Sequence, residues 1–455
     1  MGSIDQYIDL YLRHRAAFEQ DAPEAMNSLR KHALEAIGHN ALPEKGAEGY
    51  EKTSLEEMFA PDFGVNVNRV AMSADLAASF RCDVPNMSTL LGVCVNDTFY
   101  PTKGLQRLPE GVVFASMRTA AQKIPHIFDA YYGTLATLTR PEVALNTLLA
   151  QDGVVIYVPD GVTVEQPLQL VNIFSTPAPV LGVRRMLIVL GRGASAQLLV
   201  CDHTQPSAKE CLSSQVIEIA LGADARFEYY DIEESSESTS RVSSLFARQS
   251  KGSNLLVNGM TLTCGKTRND YSIDIDGEGC DTTLAGMAIG TGTMHTDNSS
   301  VVRHLAPHCD SRQLFKYVLD DNATGAFEGS ILVTPKAPFT EAYQSNKNVL
   351  ASPTAKMHTR PQLEIYNDDV KCSHGATTGQ LDKEALFYMR TRGIPEQEAK
   401  NMLMQAFMTD VIDTVRLESL RDRLKHLVEK RLAGAEAMCG ECKATCHKVD
   451  EDGRD

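Results

Sequence analysis

Four short turns, Pro159-Asp160-Gly161, Gly191-Arg192-Gly193, Gly222-Ala223-Asp224 and Lys251-Gly252-Ser253, follow one another with centres at 160, 192, 223 and 252. Between them lie runs of β-branched and aliphatic residues: Val154 to Val158, Met186 to Leu190, Val216 to Ala220 and Leu255 to Val257. Such runs read as strands, and a turn recurring about every 30 residues restricts the chain to stacked supersecondary units. With few helical patterns in between, the stretch reads as coils of a β-helix or solenoid, each burying its inward residues against the next. On pattern alone, a β-sandwich with regular turns stays open as the alternative.

The flanks carry a different period. Ile4, Ile8, Leu12 and Phe18, then Ala25, Leu29, Ala33 and Ile37, recur every three to four residues, and helical spacing returns around Met117, Ala120, Ala121 and Ile124 and at Leu145, Leu148 and Leu149. After Gly379, Ala399, Met402, Leu403, Ala406, Phe407 and Val411 form an apolar stripe, and Leu417, Leu420, Leu424 and Leu427 form a second. Gly393 suits the C′ position of one helix, and Pro395, Glu396 and Glu398 suit the first turn of the next. The chain therefore divides into a mainly helical region (1–150), a β-helix core (151–380), a C-terminal helical domain (381–435) and a polar, cysteine-rich tail (436–455).

Composition narrows the function. A net charge of −15 argues against an electrostatic grip on nucleic acid or an anionic membrane. No apolar run approaches the roughly 20 residues that span a bilayer, and Asp5, Asp9 and Glu19 stand where a signal peptide needs basic and then apolar residues. Eleven cysteines, an odd number, fit reduced thiols better than a disulfide framework. The expectation is a cytoplasmic protein.

Cys372 and His374 are the leading site residues. On an extended strand, positions i and i+2 share a face, so thiol and imidazole project together, and both can hold iron, zinc or a cluster. A buried cysteine beside a hydrogen-bonded histidine is the plain structural alternative. Asp368 and Asp369, being adjacent, point to opposite faces and read as a turn or solvated edge. Gly259 to Thr267 tempts a phosphate-loop reading, but five residues separate its glycines where four are required, and no helical pattern follows. His304, His308 and Cys309 offer ligand types, yet Pro307 breaks helical spacing and a structural turn is the better reading. Cys439, Cys442, Cys446 and His447 are enough donors for one zinc ion or a cluster; a metal-free tail is the preferred reading.

The stretch Pro361 to Ile394, with Pro-Gln-Leu-Glu-Ile-Tyr, Asp-Asp-Val-Lys-Cys-Ser-His-Gly-Ala-Thr, Leu-Phe-Tyr and Arg-Gly-Ile, closely resembles the SufB/SufD family of iron–sulfur cluster assembly scaffolds. The Cys-Ser-His-Gly element favours its SufD branch over the SufB branch. The loop Leu42 to Thr53 is similar to a further family element, with Tyr50 where Trp is usual. The resemblance runs from about Leu42 to Phe407. It implies a mixed α and β fold, with a parallel β-helix core of SufBD type flanked by N-terminal and C-terminal helical regions. It also implies a scaffold rather than an enzyme. Its partners would be a SufB-like subunit, or a second copy in isolation, and the SufC ATPase, docked through the C-terminal helices. Cys372 and His374 would then line an interface at which a nascent iron–sulfur cluster is shared with the partner, none being held tightly by this chain alone. Rival readings are a homodimeric scaffold acting without SufB and a secreted-type β-helix enzyme acting on polysaccharide. The chain has no Trp for sugar stacking, and a thiol–imidazole pair where carboxylates would be wanted.

Overall fold

The computed structural model describes residues 2–38, 41–69, 88–205 and 208–434. From Val154 to Gly379 the chain is a parallel β-solenoid, in which successive strands alternate between a ten-stranded and a nine-stranded sheet and each strand pairs with the one two places along. The sandwich alternative is thereby excluded. Register is continuous: Ile156, Ile188, Ile219, Ala247, Ile273, Val302, Ile331 and Leu363 stack one on another through the nine-stranded sheet. Most of this ladder lies in one core cluster inside the coils, where each fully buried aliphatic side chain contributes about 1.5–3 kcal/mol by leaving water.

The recurring turn is real and longer than its glycines suggest. A residue with positive φ occurs at Gly161, Gly193, Asp224, Gly252, Gly279, His308 and Phe339. Three of the seven are not glycine, and the last two corners, His308 and Phe339, leave a search for Gly-rich turns without a signal beyond Gly279. Asp tolerates this region better than most residues; at His308 and Phe339 the two rings stack, with centroids 4.8 Å apart.

Two sets of helices cover the outer faces of the solenoid. Helices Ser3–Glu19, Glu24–Ile37 and Pro141–Leu149 pack on the nine-stranded sheet with Leu181, Leu187, Leu212 and Val242. The first helix buries Ile4, Tyr7, Tyr11 and Phe18, whereas Leu12 is exposed; the amphipathic tyrosines, with hydroxyls to spare for Phe59 and Glu19, take the place the aliphatic count gave to Leu12. Helices Glu396–Ile412 and Glu418–Leu432 lie on the ten-stranded sheet against Tyr230, Ile232, Leu256 and Met260.

The region before residue 150 also contains strands. Leu90–Val95 and Thr98–Pro101 form an antiparallel pair, and Val113–Ser116 pairs antiparallel with Val154–Val158; together they close the N-terminal end of the solenoid. The opposite end has no such cover among the described residues. Lys356–Ile365 and Val370–Gly379 are the last strands of their sheets, and most of their residues are only partly buried or exposed. An edge of this kind presents unpaired backbone donors and acceptors. No described helix is long and apolar enough to cross a membrane.

Candidate functional site at the open end of the solenoid

Cys372 and His374 lie on the terminal strand Val370–Gly379, in register with Ala342 and Gln344 of the strand before it. Extended geometry puts both on one face. Cys372 packs with Ile331, Val333, Ala337 and Ala342, and this burial pushes its thiol above the ordinary range. His374 is exposed. Behind it runs a polar file: Gln344 donates to Gln313 at 3.2 Å, and Gln313 accepts from Ser300 at 2.8 Å. The Gln344 side-chain amide oxygen and the Thr359 hydroxyl are buried without a partner. The last coil thus ends in an exposed imidazole and a half-buried thiol, with orphaned polar atoms buried behind them.

Two donors suit a shared metal or cluster, which takes four protein ligands in its common forms. Among the described residues no group of three His, Cys, Asp or Glu converges, so the remaining ligands for such a cargo would have to come from outside these residues. Asp368 and Asp369 belong to the exposed bend before the strand, where Asp369 donates its N–H to Asn367 and accepts from the backbone of Phe339. They do not join the pair. Cys439, Cys442, Cys446 and His447 lie outside the described residues.

The segment Gly259 to Thr267 is strand and sharp turn, with no helix after it. Gly259 has a steric reason: a Cβ there would sit 2.2 Å from the Tyr271 hydroxyl. His304, His308 and Cys309 likewise divide among structural tasks. His308 holds the turn, Cys309 is buried, and His304 bonds the Ser311 hydroxyl at 2.8 Å. Burial pushes His304 down to about 4. The unfolded chain therefore binds a proton between roughly pH 6.5 and 4 that the folded chain refuses, and stability present above pH 6.5 is lost as pH falls. Replacing His304 with Gln is expected to reduce the loss of stability between pH 7.5 and 4.5 by on the order of 2 kcal/mol, measured by denaturant titration at both pH values. An unchanged loss would show that His304 is solvated.

The C-terminal stripe falls differently from its sequence reading. Helix Glu396–Ile412 buries Ala399, Met404, Met408, Val411 and Ile412, whereas Met402 and Ala406 face out. Apolar residues surround this helix, so periodicity alone picks no single face. Lys316, buried in the ten-stranded sheet, decides the rotation by donating to the Phe407 carbonyl at 2.7 Å and to Asp410. Met402 remains exposed, as do Phe387 and Tyr388 on the neighbouring helix Lys383–Thr391.

Sequence reasoning also missed what the loop Leu42 to Thr53 does. Tyr50 lies under the Arg268 guanidinium, 4.7 Å from the ring centre, while its hydroxyl donates to Glu142 at 3.1 Å and accepts from Arg140 at 3.2 Å. Arg268 pairs with Asp270 at 2.7 Å and Asp297 at 2.8 Å. Thr53 donates to Asp297 at 2.5 Å and bonds His295 at 2.8 Å. Glu51 pairs with Arg360 on the terminal strand Lys356–Ile365 at 2.7 Å. The loop therefore ties the helical region to the open end.

Comparison with known proteins agrees with this architecture. The model of the SUF system FeS cluster assembly SufBD core domain matches residues 174–407, and that of the SufBD protein N-terminal region matches residues 1–170. An iron–sulfur cluster assembly SufBD family protein of Synechocystis is 27% identical over 431 residues, covering 92% of this chain and 94% of that protein. The iron–sulfur cluster assembly protein SufD of Bacillus subtilis is 24% identical over 439 residues, covering 94% and 98%. SufD of Escherichia coli is 36% identical over 167 residues, 37% of this chain and 40% of that protein. With its core and its N-terminal region both matched, the chain belongs to the SufBD family of iron–sulfur cluster assembly proteins, and within it is SufD-like.

Proposed function

We propose that the protein is a scaffold subunit that pairs with a SufB-like subunit through the open end of its solenoid. There Cys372 and His374 contribute half of the ligand set for a nascent iron–sulfur cluster, which is cargo. The observation that carries this reading is the asymmetry of the solenoid, closed by antiparallel strands at one end and, among the described residues, left with two unpaired parallel edges at the other. Tyr343, Ile365 and Tyr366 are exposed there, and aromatic residues around an unpaired strand edge suit a protein interface. The thiol and imidazole at its centre are donors that iron accepts.

A second surface supports a second partner. Phe387 and Tyr388 expose apolar area on helix Lys383–Thr391, which buries none of its residues, and Met402 exposes more on helix Glu396–Ile412, whose other face is packed on the sheet; we assign this patch to a SufC-like ATPase. Under this reading nucleotide chemistry belongs to that subunit, and the scaffold has no nucleotide site of its own. A cytoplasmic, reducing setting fits the seven described cysteines, none of which is in a disulfide.

Co-expression with a SufB-like and a SufC-like subunit tests both surfaces. The expected result is co-purification of all three. Tyr366→Asp should remove the SufB-like subunit, and the double variant Phe387→Asp, Tyr388→Asp should remove the ATPase from this chain. A dimer of this chain alone that persists when the SufB-like subunit is supplied would favour the homodimeric scaffold and overturn the pairing.

A further inference from the structure

Entering six consecutive strands of the ten-stranded sheet, the chain buries one small side chain each time, and these residues stack in a column: Ala194, Ala225, Ser253, Cys280, Cys309 and Thr340. Ladder bonds between successive coils set the stacking. Asp281 donates its N–H to the Ser253 carbonyl at 3.1 Å, Asp310 to that of Cys280 at 2.9 Å, and Glu341 to that of Cys309 at 3.0 Å. Two consecutive steps of the column are thiols. Both donate to one acceptor, the Gly277 carbonyl, at 3.1 Å from Cys280 and 3.2 Å from Cys309. The two sulfurs are therefore no farther apart than the sum of those distances. In-register residues on neighbouring strands lie about 4.7–4.9 Å apart, inside the roughly 4.4–6.8 Å Cα separation of disulfides.

We propose that Cys280 and Cys309 are a redox pair that closes to a disulfide between consecutive coils when the protein meets hydrogen peroxide.

The two thiols are set for different roles. When Cys280 ionises, Cys309 turns its proton from the Gly277 carbonyl to the Cys280 sulfur, which also lies 3.6 Å from the Ser253 hydroxyl; this coupling lowers Cys280 to about 6 and pushes Cys309 up. Other buried thiols go the opposite way: burial drives Cys94 and Cys264 up to about 12 and Cys211 to about 11. The thiolate is the reactive form. Cys280 itself points into the core inside the coils; a cleft of about 360 Å³ walled by Gly279, Asp281, Ser253 and Arg226 lies one residue away on the outer side, and peroxide, small and uncharged, has that single layer to cross. The Cys280 thiolate attacks one peroxide oxygen; the O–O bond breaks, leaving a sulfenic acid and hydroxide. The Cys309 proton goes to that hydroxide, the Cys309 sulfur attacks the Cys280 sulfur, and the sulfenic oxygen departs as water once protonated by solvent. Two thiols lose two electrons in all, and peroxide becomes two waters.

The test uses the reduced full-length chain. It is exposed to dilute hydrogen peroxide under native conditions, denatured in excess alkylating reagent and digested with trypsin without reduction. Cys280 falls in the peptide 269–303 and Cys309 in the peptide 304–312, each with that one cysteine. The expected product is the two peptides joined, lighter than their sum by two hydrogens, separated by reductant and absent from Cys280→Ser. Cys309→Ala should instead leave Cys280 as sulfenic or sulfinic acid. Recovery of both peptides separately alkylated, whatever happens at Cys372, overturns the proposal. So does linkage of either cysteine to a different one.

Discussion

Arg268→Ala is expected to destabilise the protein by about 3–5 kcal/mol, because it strands two buried carboxylates at once. Asp270 and Asp297 are both nearly inaccessible and both pair with this guanidinium. Burial raises the Asp270 carboxyl, but Arg140 and Arg268 outweigh it and hold it below the usual carboxylate range. Without Arg268 that balance reverses in part, and Tyr50 loses the cation above its ring, an interaction worth about 0.5–2 kcal/mol. The measurement is the denaturant midpoint, with limited proteolysis of the Leu42 to Thr53 loop as a second readout. Tyr50→Phe, which leaves Arg268 in place and removes only the hydroxyl shared with Glu142 and Arg140, should cost about 1–3 kcal/mol. A loss below 1 kcal/mol for Arg268→Ala would show that water reaches the cluster. The geometry suits Tyr at position 50, whose ring meets the cation and whose hydroxyl serves Glu142 and Arg140.

The second large effect concerns function. His374→Ala, in a complex with a SufB-like subunit, is expected to lower cluster content by roughly tenfold or more, given that loss of even an outer-shell partner costs 10–100-fold in metal affinity. Because His374 is exposed, the same change should leave stability within about 0.5 kcal/mol, so a loss of cluster cannot be blamed on misfolding. Cys372→Ser should act similarly on cluster content, with a small stability penalty because its thiol packs against Ile331 and Ala342. The readouts are iron and acid-labile sulfide per complex, with the denaturant midpoint beside them. Undiminished cluster content in His374→Ala would remove this residue from the site.

Parts of this architecture are legible in the sequence because they follow from local chemistry. The period of the turns announces stacked coils, since a positive-φ corner at 161, 193 and 252 calls for glycine. The extended Cys372-x-His374 places two donors on one face through the two-residue strand repeat alone. Where tertiary partners choose, reading by pattern fails. Positive-φ corners at His308 and Phe339 carry no glycine, because stacking of their rings accompanies the turn. The face of helix Glu396–Ile412 is set by Lys316 reaching across from a strand. Strands Leu90–Val95 and Val113–Ser116, in a region of mostly helical spacing, take their state from the solenoid end they close.

The sequence by itself determined the coil period, the helical flanks and a thiol–imidazole pair lacking enough neighbours to be complete, because each depends on residues within a few positions of one another. Only the tertiary structure decided that one end of the solenoid is closed and the other open, that the loop around Tyr50 braces the open end, and that Cys280 stacks on Cys309. Those relations join residues about 30 to 300 positions apart, and it is the in-register hydrogen bonding of parallel strands that brings them together.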